Sequence, residues 1–214
     1  MKMRFHLAGA TALLCDIAHG GFDDAAQRRI WVTARAVERH QHVISAIPGV
    51  NNLLVGFDGL HTGPEAIRDV IAEAWEAATD VAVSTREVRI QVAYGGALGE
   101  DLADVAAQAG LSVRETIAVH AAGIYRVAAI GAMPGFVYLT GLDGRLCVPR
   151  RDTPRVHVPR GAVILGGGHA GVMPCDAPSG WHMVGATESI LFDVHRDEPC
   201  LLRMGDVVRF DPVA

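Results

Sequence analysis

The sequence predicts an α+β protein, a small α/β amino-terminal domain followed by a β-rich domain of barrel or sandwich type. Three observations carry this expectation. Strand-like and helix-like patterns alternate up to about residue 90. Two capped helices follow. From Ile124 the texture changes: eight of the ten prolines lie beyond residue 130, and short strand-like runs sit between Gly/Pro turns. The expected division is 1–86 and 87–214.

At the start, RFHLAG and TALLCDI read as a strand pair. MKMRFHLAGATALLC has a positive start and a short apolar stretch, but His6 interrupts it, Asp16 follows, and no small-x-small cleavage site is evident, so a secretory signal is not the preferred reading. From Asp23 to Ser45, Ile30, Val37 and Ile44 recur at seven-residue steps with Ala34 between, which predicts one helix ended by Pro48-Gly49. VNNLLVGFD then reads as a strand. Thr62-Gly63-Pro64 opens a second helix, with Ile67, Val70, Ile71 and Trp75 on its apolar face. REVRIQVAYGG alternates as a strand. DLADVAAQAG is a short helix capped by Gly110, and Ser112 with Glu115 forms a capping box for VRETIAVHAAG, whose last turn holds His120. The later runs YRVAAI, RVHV, AVILGG, HMVGA, ILFDV and VVRFDPV are expected strands.

Composition excludes several functions. A formal net charge of -5 argues against nucleic acid or anionic membrane as partners, and no apolar run approaches the ~18 residues of a membrane span. Cys15, Cys147, Cys175 and Cys200 are scattered with no CxxC, which suggests reduced thiols and a cytoplasmic protein without a zinc site. No HExxH occurs, and beyond His40-Gln41-His42 the ten histidines are scattered, so a metal centre would have to be assembled from distant parts of the chain and none is expected. Lys2 is the only lysine. That removes the P-loop lysine, the Schiff-base lysine, the Ser-Lys hydrolase and an internal biotinyl-lysine together, because arginine stays protonated and is a poor nucleophile or base. Chemistry needing ATP or biotin would therefore draw on another chain.

The motifs point to an anion-binding surface. In VPRRDTPRVHVPRG, three Pro-Arg pairs recur at five-residue spacing. Arginine presents a planar fork of donors suited to carboxylate or phosphate, and proline stiffens the chain that carries it. The same arginines could instead pair with surface acids. GGGHAG (166–171) matches G-x-G-x-x-G, but the proline-rich VMPCDAPSGW follows where a dinucleotide site needs a helix. What remains is a glycine loop that either admits a ligand to the backbone or turns a corner. Phe136 and Tyr138 in MPGFVYLTGL, and Trp181 in APSGWHMVG, are core residues or pocket walls. His120 is an acid/base candidate whose protonation the helix dipole would favour, or a structural histidine.

Several segments then form a series in fixed order: AYGGALGEDLADVA, GLSVRETIAVHAAGIYRV, GAMPGFVYLTGLDGRLCVPRRDTPRVHVPRGAVILGGGHAGVMP, APSGWHMVGAT, LFD and MGDVVRFDPV. The series resembles the family of KipI and the 5-oxoprolinase B subunit, also called allophanate hydrolase subunit 1, densely from Tyr94 to Pro212 and loosely before. The resemblance implies a small α+β domain and a cyclophilin-like β-barrel. It also implies a partner of the 5-oxoprolinase C-subunit type and an A subunit that uses ATP to open the 5-oxoproline lactam, with no cofactor bound by this chain alone. Two other roles occur in the family: the carboxyltransferase half-site of a biotin-dependent urea carboxylase, with biotin on a partner, and inhibition of a histidine kinase. On the lactam reading, Arg150, Arg151 or Arg155 grips a small carboxylate, and Phe136 and Tyr138 pack its ring. Gly168 and Trp181 complete the pocket, and His120 or His169 handles protons. The chain departs from the family pattern at Ala93, Ala132, His169, Ala170 and Met173, where Cys, Phe, Gln, Thr and Tyr are usual, so the pocket chemistry is expected to differ.

Overall fold

A computed structural model describes residues 3–17, 22–78 and 86–213. The chain forms two compact units, residues 1–84 and 85–214, and residues 79–85, where the division falls, lie outside the described ones.

The first unit is one antiparallel sheet with two helices on one face. Strands β1 (Arg4–Leu7), β2 (Ala12–Asp16), β3 (Val43–Gly49) and β4 (Asn52–Phe57) take the order β1-β2-β4-β3. Helix α1 (Asp24–Val37) begins where the Asp23 carboxylate accepts the Ala26 N–H at 2.8 Å, and α2 (Pro64–Ala77) has its proline in the first turn. Ile30, Ile67, Ile71 and Trp75 pack on Leu13, Cys15, Leu53, Val55 and Phe57, the alternate side chains of β2 and β4.

The helix expected over 23–45 is shorter than its apolar spacing suggested. It ends at Val37, and Ile44, placed on its stripe by sequence, is 74% exposed in β3. Pro48-Gly49 does not end a helix either; both residues belong to β3. As an edge strand, β3 tolerates the missing proline N–H.

The second unit is a closed barrel in the order β10-β7-β6-β13-β5-β12-β9. Its strands are β5 (Glu87–Tyr94), β6 (Tyr125–Ile130), β7 (Val137–Thr140), β9 (Ala162–Gly166), β10 (His169–Val172), β12 (His182–Ala186) and β13 (Val207–Pro212). Between β5 and β6 the chain forms α3 (Leu102–Ala109), closed by left-handed Gly110, and α4 (Val113–Ala122) with the expected Ser112/Glu115 capping box. A two-stranded sheet, β8 (Arg155–Val158) with β11 (Ala177–Ser179), lies outside the barrel order. The expected ILFDV strand is reduced to an isolated bridge from Phe192 to Cys200, because the Asp193 carboxylate accepts the His195 N–H and turns the chain.

β9 explains the apolar run AVILG. Val163 and Leu165 face the barrel core with Ile90, Val92, Val127 and Leu139. Ala162 and Ile164 face a second cluster of Phe136, Val158, Met173, Trp181 and Met183. Both faces of the strand are therefore buried, which favours continuous apolar residues over alternation. GGGHAG is a hairpin: His169 pairs with Gly166, and Gly167 takes φ 62° at the turn. A strand follows, so no helix N-terminus stands there to hold a pyrophosphate.

Candidate functional site

The second cluster forms the wall of a cleft of about 290 Å³, lined by Ala132, Met133, Phe136, Tyr138, Arg150, Arg151, Pro154, Met173 and the turn Pro178–Trp181. The aromatic rings meet edge to face. Phe136 lies 5.1 Å from Tyr138 and 5.8 Å from Trp181, at interplanar angles of 88° and 75°. Glycine permits this packing at Gly166, where a Cβ would lie 2.5 Å from the Trp181 ring. At the rim, Ala132 has φ 69°, a conformation that non-glycine residues adopt at a cost of about 1–2 kcal/mol. Such strain is concentrated at functional sites.

Backbone clips hold the Pro-Arg stretch against this wall. The Arg151 N–H donates to the Gly180 carbonyl at 2.8 Å, and His182 Nε2–H donates to the Pro149 carbonyl at 2.9 Å. Arg150, between them, is exposed, and its guanidinium carbon stands 5.6 Å from the centre of the Trp181 ring. That is within cation–π range. Among the described residues no carboxylate pairs with it.

The other two arginines are tied down. The Asp101 carboxylate, whose side chain is 3% exposed, accepts both terminal nitrogens of Arg155 at 2.8 Å and Arg151 Nη1 at 2.9 Å. Met183 N–H adds a fourth bond at 2.8 Å. Burial would raise the Asp101 carboxyl. The hydrogen bonds from Arg155 and Met183, with the charges of Arg155 and Arg151, outweigh it and hold the group below its ordinary value. Arg155 also reaches Glu100 at 2.6 Å, so its fork is occupied by two acids and Arg155 is not open to grip a ligand. Arg151 lines the cleft and keeps Nη2 without a partner among the described residues, while its Nε is buried and unpaired.

His169 belongs to the aromatic group, 6.2 Å from Tyr138 and 6.4 Å from Trp181 between ring centres. Its Nε2 is buried without a partner, and burial, reinforced by the Arg150 charge, lowers its pKa. Gly168 is exposed at the hairpin turn and is not among the cleft-lining residues.

His120 is elsewhere. It is 1% exposed, stacked 4.7 Å from Phe210. The Tyr94 hydroxyl donates to its Nδ1 at 2.6 Å, an arrangement that leaves one polar atom, Nε2, unpaired; the opposite tautomer would leave two. Burial pushes its pKa down to about 3. The expected dipole effect on protonation is thus overridden, because desolvation of an imidazolium inside a core exceeds the worth of a helix end. His120 does not line the cleft.

Sequence reading missed Asp101 and His182. Asp101 stands at the N-cap of α3, and an aspartate there reads as a cap. Nothing local distinguishes it from one.

Comparison with known proteins agrees with this architecture. The family model of the carboxyltransferase domain, subdomains C and D, matches residues 3–202. The chain belongs to this family. It is 41% identical to the B subunit of 5-oxoprolinase from Escherichia coli O157:H7, over 99% of this chain and 96% of that one. It is 37% identical to the corresponding B subunit from Haemophilus influenzae, over 86% of each. Among solved structures, TTHA0988 superposes with a TM-score of 0.81 at 31% identity over 95% of this chain, which spans only 40% of that protein. The urea carboxylase of Kluyveromyces lactis shares the fold with a TM-score of 0.84 at 20% identity, over 99% of this chain and 22% of that one. Among the described residues no helix is long and apolar enough to cross a membrane, and no group of three His, Cys, Asp or Glu residues is placed to hold a metal ion.

Proposed function

We propose that this chain is the B-type subunit of an ATP-dependent 5-oxoprolinase, binding the carboxylate-bearing lactam in the Phe136–Trp181 cleft while partners of C and A type complete the site and use ATP. The observation that carries the reading is an unpaired guanidinium, Arg150, held over an aromatic wall in a cleft of a few hundred Å³. A small ring with one carboxylate satisfies both halves of that surface. Relatives that are B subunits of 5-oxoprolinase support the substrate class.

On this reading Arg150 receives the carboxylate, with Arg151 beside it, and Phe136 and Trp181 pack the flat ring. The Tyr138 hydroxyl, which has no partner among the described residues, hydrogen-bonds a polar edge of the lactam. The His169 imidazole, neutral at ordinary pH, stands beside this cluster, outside the cleft lining, as a proton carrier. The fold occupies only part of TTHA0988 and of the K. lactis enzyme. Joining one fold to further sequence in a single chain in some proteins supports a separate partner here. The lack of any lysine beyond Lys2 supports assigning ATP to that partner.

The test is ATP-dependent release of glutamate from 5-oxoproline by the chain mixed with C- and A-type subunits from the same organism. Turnover is expected only in the full mixture, and Arg150→Gln is expected to raise KM roughly tenfold or more. Cleavage by the isolated chain, or an unchanged KM in Arg150→Gln, would overturn the assignment. The shared fold with urea carboxylase supplies the alternative, a carboxyltransferase half-site with biotin on a partner. Biotin-dependent carboxylation in place of glutamate release would favour it.

A further inference from the structure

We propose that Asp101 is a positioning residue for the cleft, holding Arg151 so that its free Nη2 and Arg150 receive one carboxylate together. The inference rests on the reading of the cleft given above, and four features carry it.

Asp101 occupies the N-cap of α3, yet its side chain makes no cap hydrogen bond. A capping aspartate is ordinarily worth about 1 kcal/mol to its helix. Here the carboxylate turns away and takes four hydrogen bonds, one from Arg151 in the loop before β8, two from Arg155 at the start of β8 and one from the Met183 N–H in β12. The main chains are joined as well, Asp101 N–H donating to the Met183 carbonyl at 3.0 Å.

The two arginines it holds are not equivalent. Both terminal nitrogens of Arg155 are engaged, by a bidentate contact with Asp101 and by Glu100. Arg151 gives Asp101 a single hydrogen bond through Nη1 and leaves Nη2 open. A guanidinium fixed through one nitrogen has lost most of its rotamer freedom before a ligand arrives, which lowers the entropy cost of binding.

Charge arithmetic agrees. Asp101 and Glu100 balance Arg151 and Arg155, so Arg150 is the uncompensated cation at the cleft. A ligand with one negative charge neutralises the site. Removal of Asp101 would leave Arg155 and Arg151 repelling one another, and Arg151 would be free to rotate away from Arg150.

The rival account is a structural one: Asp101 merely joins α3 to β12. The two accounts differ in whether ligand affinity depends on Asp101 through Arg151. The full chain is labelled with 5-fluorotryptophan, its Trp181 resonance is assigned with Trp181→Phe, and 5-oxoproline is titrated by 19F NMR with unlabelled C- and A-type subunits present and ATP withheld. In the wild type the Trp181 resonance should shift and saturate. Asp101→Asn and Arg151→Lys should each weaken binding by roughly tenfold, and the double variant should be no weaker than either single one. Where Asp101→Asn alone fails to fold, Asp101→Asn with Arg155→Gln removes the orphaned buried charge and takes its place in the cycle. Wild-type affinity in the Asp101 variant, or additive losses in the double, overturns the positioning role and leaves the cleft reading standing. A wild-type resonance that does not move overturns both.

Discussion

At the scale of single residues two buried ionisable groups of the barrel unit, His120 and Asp101, make the protein acid-sensitive in different pH windows. His120 has a folded-state pKa of about 3, below the ~6.5 of an unfolded histidine. As pH falls the unfolded chain takes up the proton first, so the stability that depends on neutral His120 is complete above ~6.5 and drains away down to about 3. Between pH 7 and pH 5 the loss should be about 2 kcal/mol. His120→Gln, whose amide oxygen can still accept from Tyr94, should remove that slope. Urea unfolding of both proteins at the two pH values checks it, and parallel losses would show that His120 titrates more freely than its burial implies. Asp101 acts lower, since its pKa is held below the usual carboxylate range; its contribution is intact above ~4 and is lost only as pH drops through the depressed value. Little of this was legible in the sequence. Arg155 stands in a Pro-Arg series that suggests an anion site, and only the approach of Asp101, 54 residues upstream, shows that the anion is already supplied.

Among the elements, what was legible was what is local. The α4 capping box lies within four residues of chain, and the structure forms both of its hydrogen bonds, Ser112 N–H to Glu115 at 2.8 Å and Glu115 N–H to Ser112 Oγ at 3.2 Å. Ser112→Ala should cost about 1 kcal/mol, read as a lower urea midpoint at unchanged slope. β3 was misread because Ile44 fell by coincidence on the seven-residue spacing of α1, and an edge strand with one exposed face need not alternate cleanly. β9 supplies a sharper test. A Cβ at Gly166 would press into the Trp181 indole at 2.5 Å, and the strand is buried on both faces, so neither can easily retreat. Gly166→Ala should destabilise by about 1–3 kcal/mol and displace the tryptophan. Unchanged Tm and Trp181 fluorescence would show that the indole has room to move.

For the whole molecule, each unit has its own apolar core, one built on the four-stranded sheet and one inside the barrel. Every strand of the barrel lies between residues 87 and 212. A fragment beginning at Arg86 should therefore fold alone, with a single cooperative thermal transition and dispersed amide resonances. A fragment that stays molten would refute the independence of the barrel. The order of strands within it was not legible from composition, because β5 is joined on one side to β12 and on the other to β13, in parallel, with Val207 opposite Glu87. No periodicity encodes a partner so distant. That pairing orders events in time: β13 is the last of the barrel's own strands to be synthesised, yet it fills the place between β5 and β6. Until Val207 emerges, both of those strands present raw hydrogen-bonding edges in the crowded cell. Nascent chains stalled just short of that point should be the ones that chaperones capture.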